Sequence, residues 1–468
     1  MKGALKQIYP LKAPGPDGMP PLFFQHFWST SSVVVTKTVF DFLNFGISPP
    51  NFNETHITLV PKIKEPKKIT NYRPISLCNV VYKIAIALKA IANRLKQISP
   101  SIISDTQSAF VHVRLITDNV LVAFETMHHI SQKKGGKVGE MALKLDMSKA
   151  YDRVEWVWLE KVMEKLVFAN QMRDLIMRYV SMVTYSIKIN GTPRGHIIPS
   201  RAIRQGDPLS PYLFLLCAEG LYALIQSTVD TGQIEGVKIC RGGPRLSHLF
   251  FVEDSLIFCK AMLKDCDALQ RLLAMYKKAS SQKLNHAKTS LFFNSNTSRE
   301  VQEEIKNQFG AQIIKQHDKY LGLPSLVGRN KRTTFNAIKE KLGKVLVGWK
   351  EKLLSKAGKE VLIKAMAQAI PTYIMNCFKL LDSLSDELMG MIKHFWWGQK
   401  KEKRKIAWLR GEKMCEPKCD GGMRFKNLKL FNKAFLAKQG WHVQMGGDSL
   451  VYKVLKAKYF PTCNFVHA

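Results

Sequence analysis

Two periodicities take turns along the chain. Alternating or unbroken short apolar runs mark strands, and apolar positions three or four apart mark helices. Residues 55–60 read as a strand. Val81, Ile84, Leu88, Ile91, Leu95 and Ile98 recur at helical spacing and predict an amphipathic core helix that Pro100 ends. At residues 141–146 alternation returns. Met141, Leu143 and Leu145 fall on one face and Ala142, Lys144 and Asp146 on the other, so Asp146 closes a strand. Residues 153–183 read as helices. Residues 185–189, the pair Asn190-Gly191 and a second strand through Ile198 predict a hairpin with a type I′ turn. Pro208 suits the first turn of a helix running to about Ile225. At 249–258, apolar runs of four and three residues flank Glu253-Asp254 and predict a second tight hairpin. Further on, Phe335, Ile338, Leu342, Val345 and Trp349 share a helical face, and a second helix runs to Ile370, where Pro371 stops it.

The second hairpin raises a chemical question. Two adjacent carboxylates at a turn between buried strands are costly unless a cation compensates them. A divalent metal would do so, with Asp146 as a third carboxylate from a neighbouring strand. The alternative is a solvated turn between core strands.

These two stretches resemble motifs A and C of reverse transcriptases, most closely those of LINE-type (non-LTR) retrotransposons abundant in plant genomes. The likeness continues in the family's order: Lys12-Ala-Pro-Gly-Pro-Asp-Gly18, Asn71-Tyr-Arg-Pro-Ile-Ser-Leu77, Gln107-Ser-Ala-Phe-Val111 with Leu115-Ile-Thr-Asp-Asn119, Arg204-Gln-Gly-Asp-Pro-Leu-Ser-Pro211, Leu284-Asn285 with Lys288-Thr289, and Tyr320-Leu-Gly-Leu-Pro324.

The resemblance implies an α+β right-hand polymerase. Residues 1–140 would be an N-terminal extension and fingers, and 141–325 a palm with an antiparallel sheet and a fingers insertion. Residues 326–400 would form a helical thumb and 401–468 a truncated basic linker. The implied activity is RNA-directed DNA polymerisation by two-metal nucleotidyl transfer. Its partners would be an RNA template, a DNA primer and deoxynucleoside triphosphates, with no membrane. Asp146, Glu253 and Asp254 stand where the family holds two magnesium ions (Mg2+). Tyr151 stands at the aromatic gate that clashes with a 2′-hydroxyl. Lys62 and Arg73 match the fingers residues that hold the nucleotide's phosphates, with Lys64 an alternative to Lys62. Gln205 and Gly206 match motif B, beside the incoming nucleotide and template. Lys288 matches the lysine that protonates leaving pyrophosphate, and Tyr320, Leu321 and Gly322 match the primer grip.

Composition sharpens the partner. The formal net charge is +34, and residues 325–468 carry 29 basic and 11 acidic residues against 42 and 26 in the rest. Such one-sidedness fits a polyanion, and nucleic acid is the expected one. The run Lys400 to Lys405 is either a linker or a phosphate contact. Trp349, Trp396 and Trp397 are expected to pack in a core rather than stack on bases. The nine cysteines form no C-x-x-C pair and are expected to be reduced thiols of a nuclear or cytoplasmic protein. No uncharged apolar run of membrane-spanning length occurs. The nearest, Leu213 to Ile225, carries Glu219. No endonuclease precedes Pro14 and no ribonuclease H or Cys/His domain follows Trp441, so a fragment of a longer element is expected.

Several residues depart from the family. Glu253 replaces the first Asp of the hairpin pair, a direct metal ligand in the relatives. Val111-His112-Val113-Arg114 stands where they read Val-Pro-Gly-Arg, Ala202 where they carry Gly, and Val252 also departs. The expectation is a partly decayed copy with weak or absent polymerisation. Two other classes compete with it: a non-catalytic, maturase-like RNA-binding protein, and a viral RNA polymerase, which Tyr151 disfavours.

Overall fold

A computed structural model describes the backbone of residues 1–468 except 86–87, 137, 315–318, 329–330, 351–353, 399–405, 446 and 468. Side chains 4, 84–85, 88–90, 350 and 466 are also outside the described set. The expected stripe positions Ile84 and Leu88 and the run Lys400 to Lys405 lie outside the described residues. Helices and sheets mix as an α+β fold, and contacts group the chain into two units.

The first unit comprises residues 1–115, 134–237 and 246–313. Its strands are β1 (Glu54–Pro61), β2 (Tyr72–Cys78), β3 (Glu140–Asp146), β4 (Thr184–Ile189), β5 (Thr192–Ile197), β6 (His248–Phe251), β7 (Asp254–Lys260), β8 (Ser290–Phe293) and β9 (Gln312–Ile313). One sheet has the order β2-β1-β4-β5 and the other β9-β8-β3-β7-β6. β3 is central in the second, antiparallel to both β7 and β8. Its Met141, Leu143 and Leu145 are fully buried, as alternation requires. The β4–β5 turn has positive φ at both Asn190 and Gly191, the predicted type I′ form.

Two boundaries differ from the sequence reading. The helix Leu88–Ile102 continues through Pro100. A proline removes the bond to the carbonyl four residues earlier. Here Ser99 Oγ donates to that carbonyl, Lys96 O, at 2.9 Å, so the last turn survives. The helix after the Arg204 loop spans Ser210–Asp230, with Pro211 rather than Pro208 in its first turn. Among the described residues it is the helix long and apolar enough to cross a membrane. Here Leu213, Leu216, Leu221 and Ile225 are buried, and it packs on the helices Trp156–Lys165 and Leu263–Ser280.

The second unit holds residues 116–133, 238–245 and 314–468. Phe335, Leu342 and Leu346 of the helix Lys331–Lys350 are buried, Leu346 rather than Val345 completing the stripe. The expected helix to Ile370 is two pieces, Lys356–Leu362 and a π turn at Ile363–Ala367. Trp396 is buried beside Phe425 and Trp349 lies against Phe395, so both pack in the core. Tyr320, Leu321 and Gly322 form a tight hairpin with positive φ at Leu321 and Gly322. Tyr320 is buried, with its hydroxyl 2.9 Å from Asn119 Oδ1.

Candidate active site

The β3–β7 ladder pairs Asp146 directly with Asp254. Phe251 and Asp254 close the β6–β7 hairpin, leaving Val252 and Glu253 as its two turn residues. The three carboxylates therefore come together on adjoining chain ends. They act on one another: Asp254 and Asp146 both raise the Glu253 pKa, behind a larger contribution from burial. Asp254 is likewise raised, first by burial and then by Asp146, against the lowering effect of Lys144. Glu253 is solvent-accessible at the rim, yet enough protein surrounds it to disfavour its charge.

The acids are adjacent without forming a closed ligand set. Among the described residues no three of His, Cys, Asp and Glu are gathered at metal-holding distance. Asp146 is turned to other partners. Its Oδ1 accepts from Asn285 Nδ2 at 3.2 Å, and Lys288 Nζ lies 3.0 Å from its Oδ2. The Lys288 ammonium thus sits where a carboxylate cluster calls for positive charge.

Several other expected residues of the first unit act on the acids or on the nearby Asp152. Arg73, exposed on β2, lowers the pKa of Glu253 and so lies within its field. Tyr151 stacks on Phe214 with centroids 5.1 Å apart, and burial, then Glu253, raise its phenol pKa. Gln205 Nε2 donates to Asp152 Oδ1 at 3.4 Å, and Lys62 acts on the same carboxylate. Lys62 is anchored by donating to Thr70 O at 3.2 Å. Gly206 has φ +97°, a backbone state that disfavours any side chain, and its carbonyl accepts from Lys12 Nζ at 3.4 Å. Tyr151 and the Gln205 segment are tied by backbone bonds, Ala202 N to Val154 O at 2.8 Å and Ile203 N to Tyr151 O at 3.0 Å. Tyr320, Leu321 and Gly322 belong to the second unit.

Sequence reasoning missed three supports. Gln107, fully buried, accepts through Oε1 from Val252 N at 3.3 Å and so holds the hairpin turn. Phe250 N donates to Thr106 O at 2.9 Å, so this segment covers the edge of β6. Arg114 fastens it by donating to the carbonyls of Gln107 (2.7 Å) and Ile103 (2.9 Å). The third support is Asn285, which also donates its backbone N–H to Asp146 O at 2.9 Å. The motif around Gln107 was visible, but its role required knowing which strand it meets.

Three of the departing residues share a backbone property. Val113, Ala202 and Val252 have φ of +76°, +88° and +55°. Glycine reaches this region without penalty and a β-branched residue does not.

Residues 63–324 match the family described as "Reverse transcriptase (RNA-dependent DNA polymerase)". The chain is 26% identical over 405 residues to the transposon TX1 uncharacterized 149 kDa protein of Xenopus laevis, covering 84% of this chain and 29% of that protein. It is 25% identical over 263 residues to a retrovirus-related Pol polyprotein from the type-1 retrotransposable element R2 of Popillia japonica, covering 55% and 33%. A solved telomerase from Candida albicans, in complex with a fragment of telomeric RNA, aligns at 12% identity and TM-score 0.42 over 94% of this chain and 64% of that one. The chain spans about a third or less of the length of the TX1 and R2 relatives.

Proposed function

The chain belongs to the reverse-transcriptase family, of the non-LTR retrotransposon type, and from that premise we propose that it is an RNA-directed DNA polymerase module impaired at Glu253. The observation that carries this reading is the cross-strand pairing of Asp146 with Asp254, with Glu253 beside them. Divalent ions serve the family, and an all-oxygen donor set suits a hard cation. Asp146, Asp254 and Glu253 would hold two magnesium ions, which when bound acidify the primer 3′-hydroxyl and neutralise the triphosphate.

The chain's own residues do the rest. Arg73 offers a planar fork, and Lys62 a point charge, to the triphosphate. The Tyr151 ring, held flat on Phe214, excludes a 2′-hydroxyl and so selects deoxynucleotides. Gln205 and the bare backbone at Gly206 receive the nucleotide and template. Lys288, held on Asp146 at 3.0 Å, is the residue that would pass a proton to the leaving pyrophosphate. Tyr320, Leu321 and Gly322 would grip the primer. RNA template and DNA primer account for the +34 charge. A nuclear or cytoplasmic setting suits nine unpaired thiols, five of them buried.

Glu253 adds one methylene at a two-residue turn, moving its carboxylate by roughly 1 Å, and misplacement of that order costs about 10²-fold in rate. Non-glycine residues at the positive-φ positions 113 and 202, where relatives carry glycine, support a partly decayed copy.

Primer extension on an RNA template with magnesium tests the reading. Weak dNTP-dependent extension that Asp146→Asn removes is expected, with little extension from NTPs. Equal extension by the two proteins, with RNA binding that persists in chelator, would favour the non-catalytic, maturase-like RNA-binding alternative.

A further inference from the structure

Leu145 and Met147, the residues on either side of Asp146, line a half-open cavity of about 470 Å³. Leu273, Tyr276, Leu284 and Phe309 complete an apolar interior. This volume lies within the range of small-molecule sites. Two basic residues give the cavity a chemistry. Lys277 and Lys283 also line the cavity, and both are solvent-exposed.

We propose that this cavity binds an amphipathic organic anion: an aromatic body for the apolar lining and a sulfonate or carboxylate for Lys277 and Lys283. One wall of the cavity is shared with the acids. Lys283 O accepts from Ser148 N at 2.7 Å, Leu284 bridges Met147, and Asn285 bonds Asp146 through both backbone and side chain. A ligand seated against Gln282 and Leu284 therefore steadies residues 282–289, the segment that also presents Lys288 to Asp146. Nothing in this site depends on catalysis, so it stands or falls separately from the polymerase reading.

Anilinonaphthalene sulfonate has the required parts and fluoresces in apolar surroundings. Titration of the full chain is expected to show one saturable site. Ala274→Trp, at the exposed helix position that lines the cavity, should abolish it. Reversing the charge of both exposed lysines, Lys277→Glu with Lys283→Glu, should weaken it roughly tenfold or more without touching the core. Saturating dye should also slow amide exchange across residues 283–289. Unsaturable binding, or binding equal in all three proteins, overturns the site. Binding that leaves exchange in 283–289 unchanged overturns the link to the catalytic strand. Matching thermal melts of the Trp variant and the unaltered chain exclude misfolding as the cause, and the lysine variant tests the same site independently.

Discussion

Asp146 and Asp254 face one another across neighbouring antiparallel strands, the arrangement in which like charges repel most. Lys288 offsets one and Lys144 the other. Glu253 and Asp254 both have raised pKa values, burial first, so the folded chain binds protons more tightly than the unfolded one. Their stabilising contribution is present below the ordinary carboxylate range and is lost as pH rises through the raised values. A divalent ion held by the ionised carboxylates would reverse this. Magnesium or manganese should therefore raise the melting temperature more at about pH 8 than at about pH 5. Asp146→Asn or Asp254→Asn should erase the difference. An equal shift at both pH values, or in the variants, would remove these acids from the ion site.

Glu253→Asp is expected to enlarge that metal-dependent shift and to raise primer extension by one to two orders of magnitude, about what a 1 Å correction recovers. The readout is single-turnover extension at saturating primer–template. No gain would mean that the extra methylene is not the defect.

What could be read from the sequence, and what could not, divides by distance along the chain. Alternation at 141–146 and the acids between apolar runs at 249–258 are local, and both elements formed as expected. Pro100 misled because its penalty is answered by a neighbour, Ser99, whose hydroxyl takes the freed carbonyl. The single helix expected up to Ile370 is broken by a π turn at Ile363–Ala367. Gln107, Arg114 and Asn285 stayed illegible as supports, since each acts on backbone that only the tertiary fold brings near. The departures were visible, but their backbone cost became clear only with φ at Val113, Ala202 and Val252.

Val113 is the cleanest test of that cost. It is 71% exposed, so replacing it forfeits little packing, whereas Val252 is partly buried against the core. Holding an L-residue in the left-handed region costs about 1–2 kcal/mol, and glycine returns about 0.5–1 kcal/mol of that as unfolded-chain entropy. Val113→Gly should therefore gain about 1 kcal/mol, read as a melting shift of about 2 °C. Val252→Gly should come out near zero, because lost burial offsets the relieved strain. Equal effects at both sites would contradict this balance of strain against burial.

Glu219 gives the chain a titration near neutrality. It lies 7% exposed on the helix Ser210–Asp230, and burial pushes its pKa up to about 7, against lowering by Ser104 and Arg114. Ser104 Oγ donates to it at 3.1 Å, and Ser104, Thr106 and His248 continue a hydrogen-bonded chain to β6. With the folded pKa above the ordinary 4.5, the stability Glu219 contributes is full below 4.5 and lost as pH rises through about 7. His248 works in the opposite sense. Burial lowers its pKa to about 3, so below its ordinary 6.5 only the unfolded chain gains the proton, and stability rises with pH there. The two effects separate above about pH 6.5, where His248 is neutral in both states and Glu219 still titrates. From there to about pH 8 the loss attributable to Glu219 is on the order of 1 kcal/mol. Glu219→Gln keeps an acceptor for Ser104 and removes the proton, so its denaturant-unfolding free energy should stay flat across that window relative to the unaltered chain. Two parallel curves would mean that Glu219 ionises freely in the folded protein, and that the chain of hydroxyls behind β6 carries no charge-dependent strain to the hairpin.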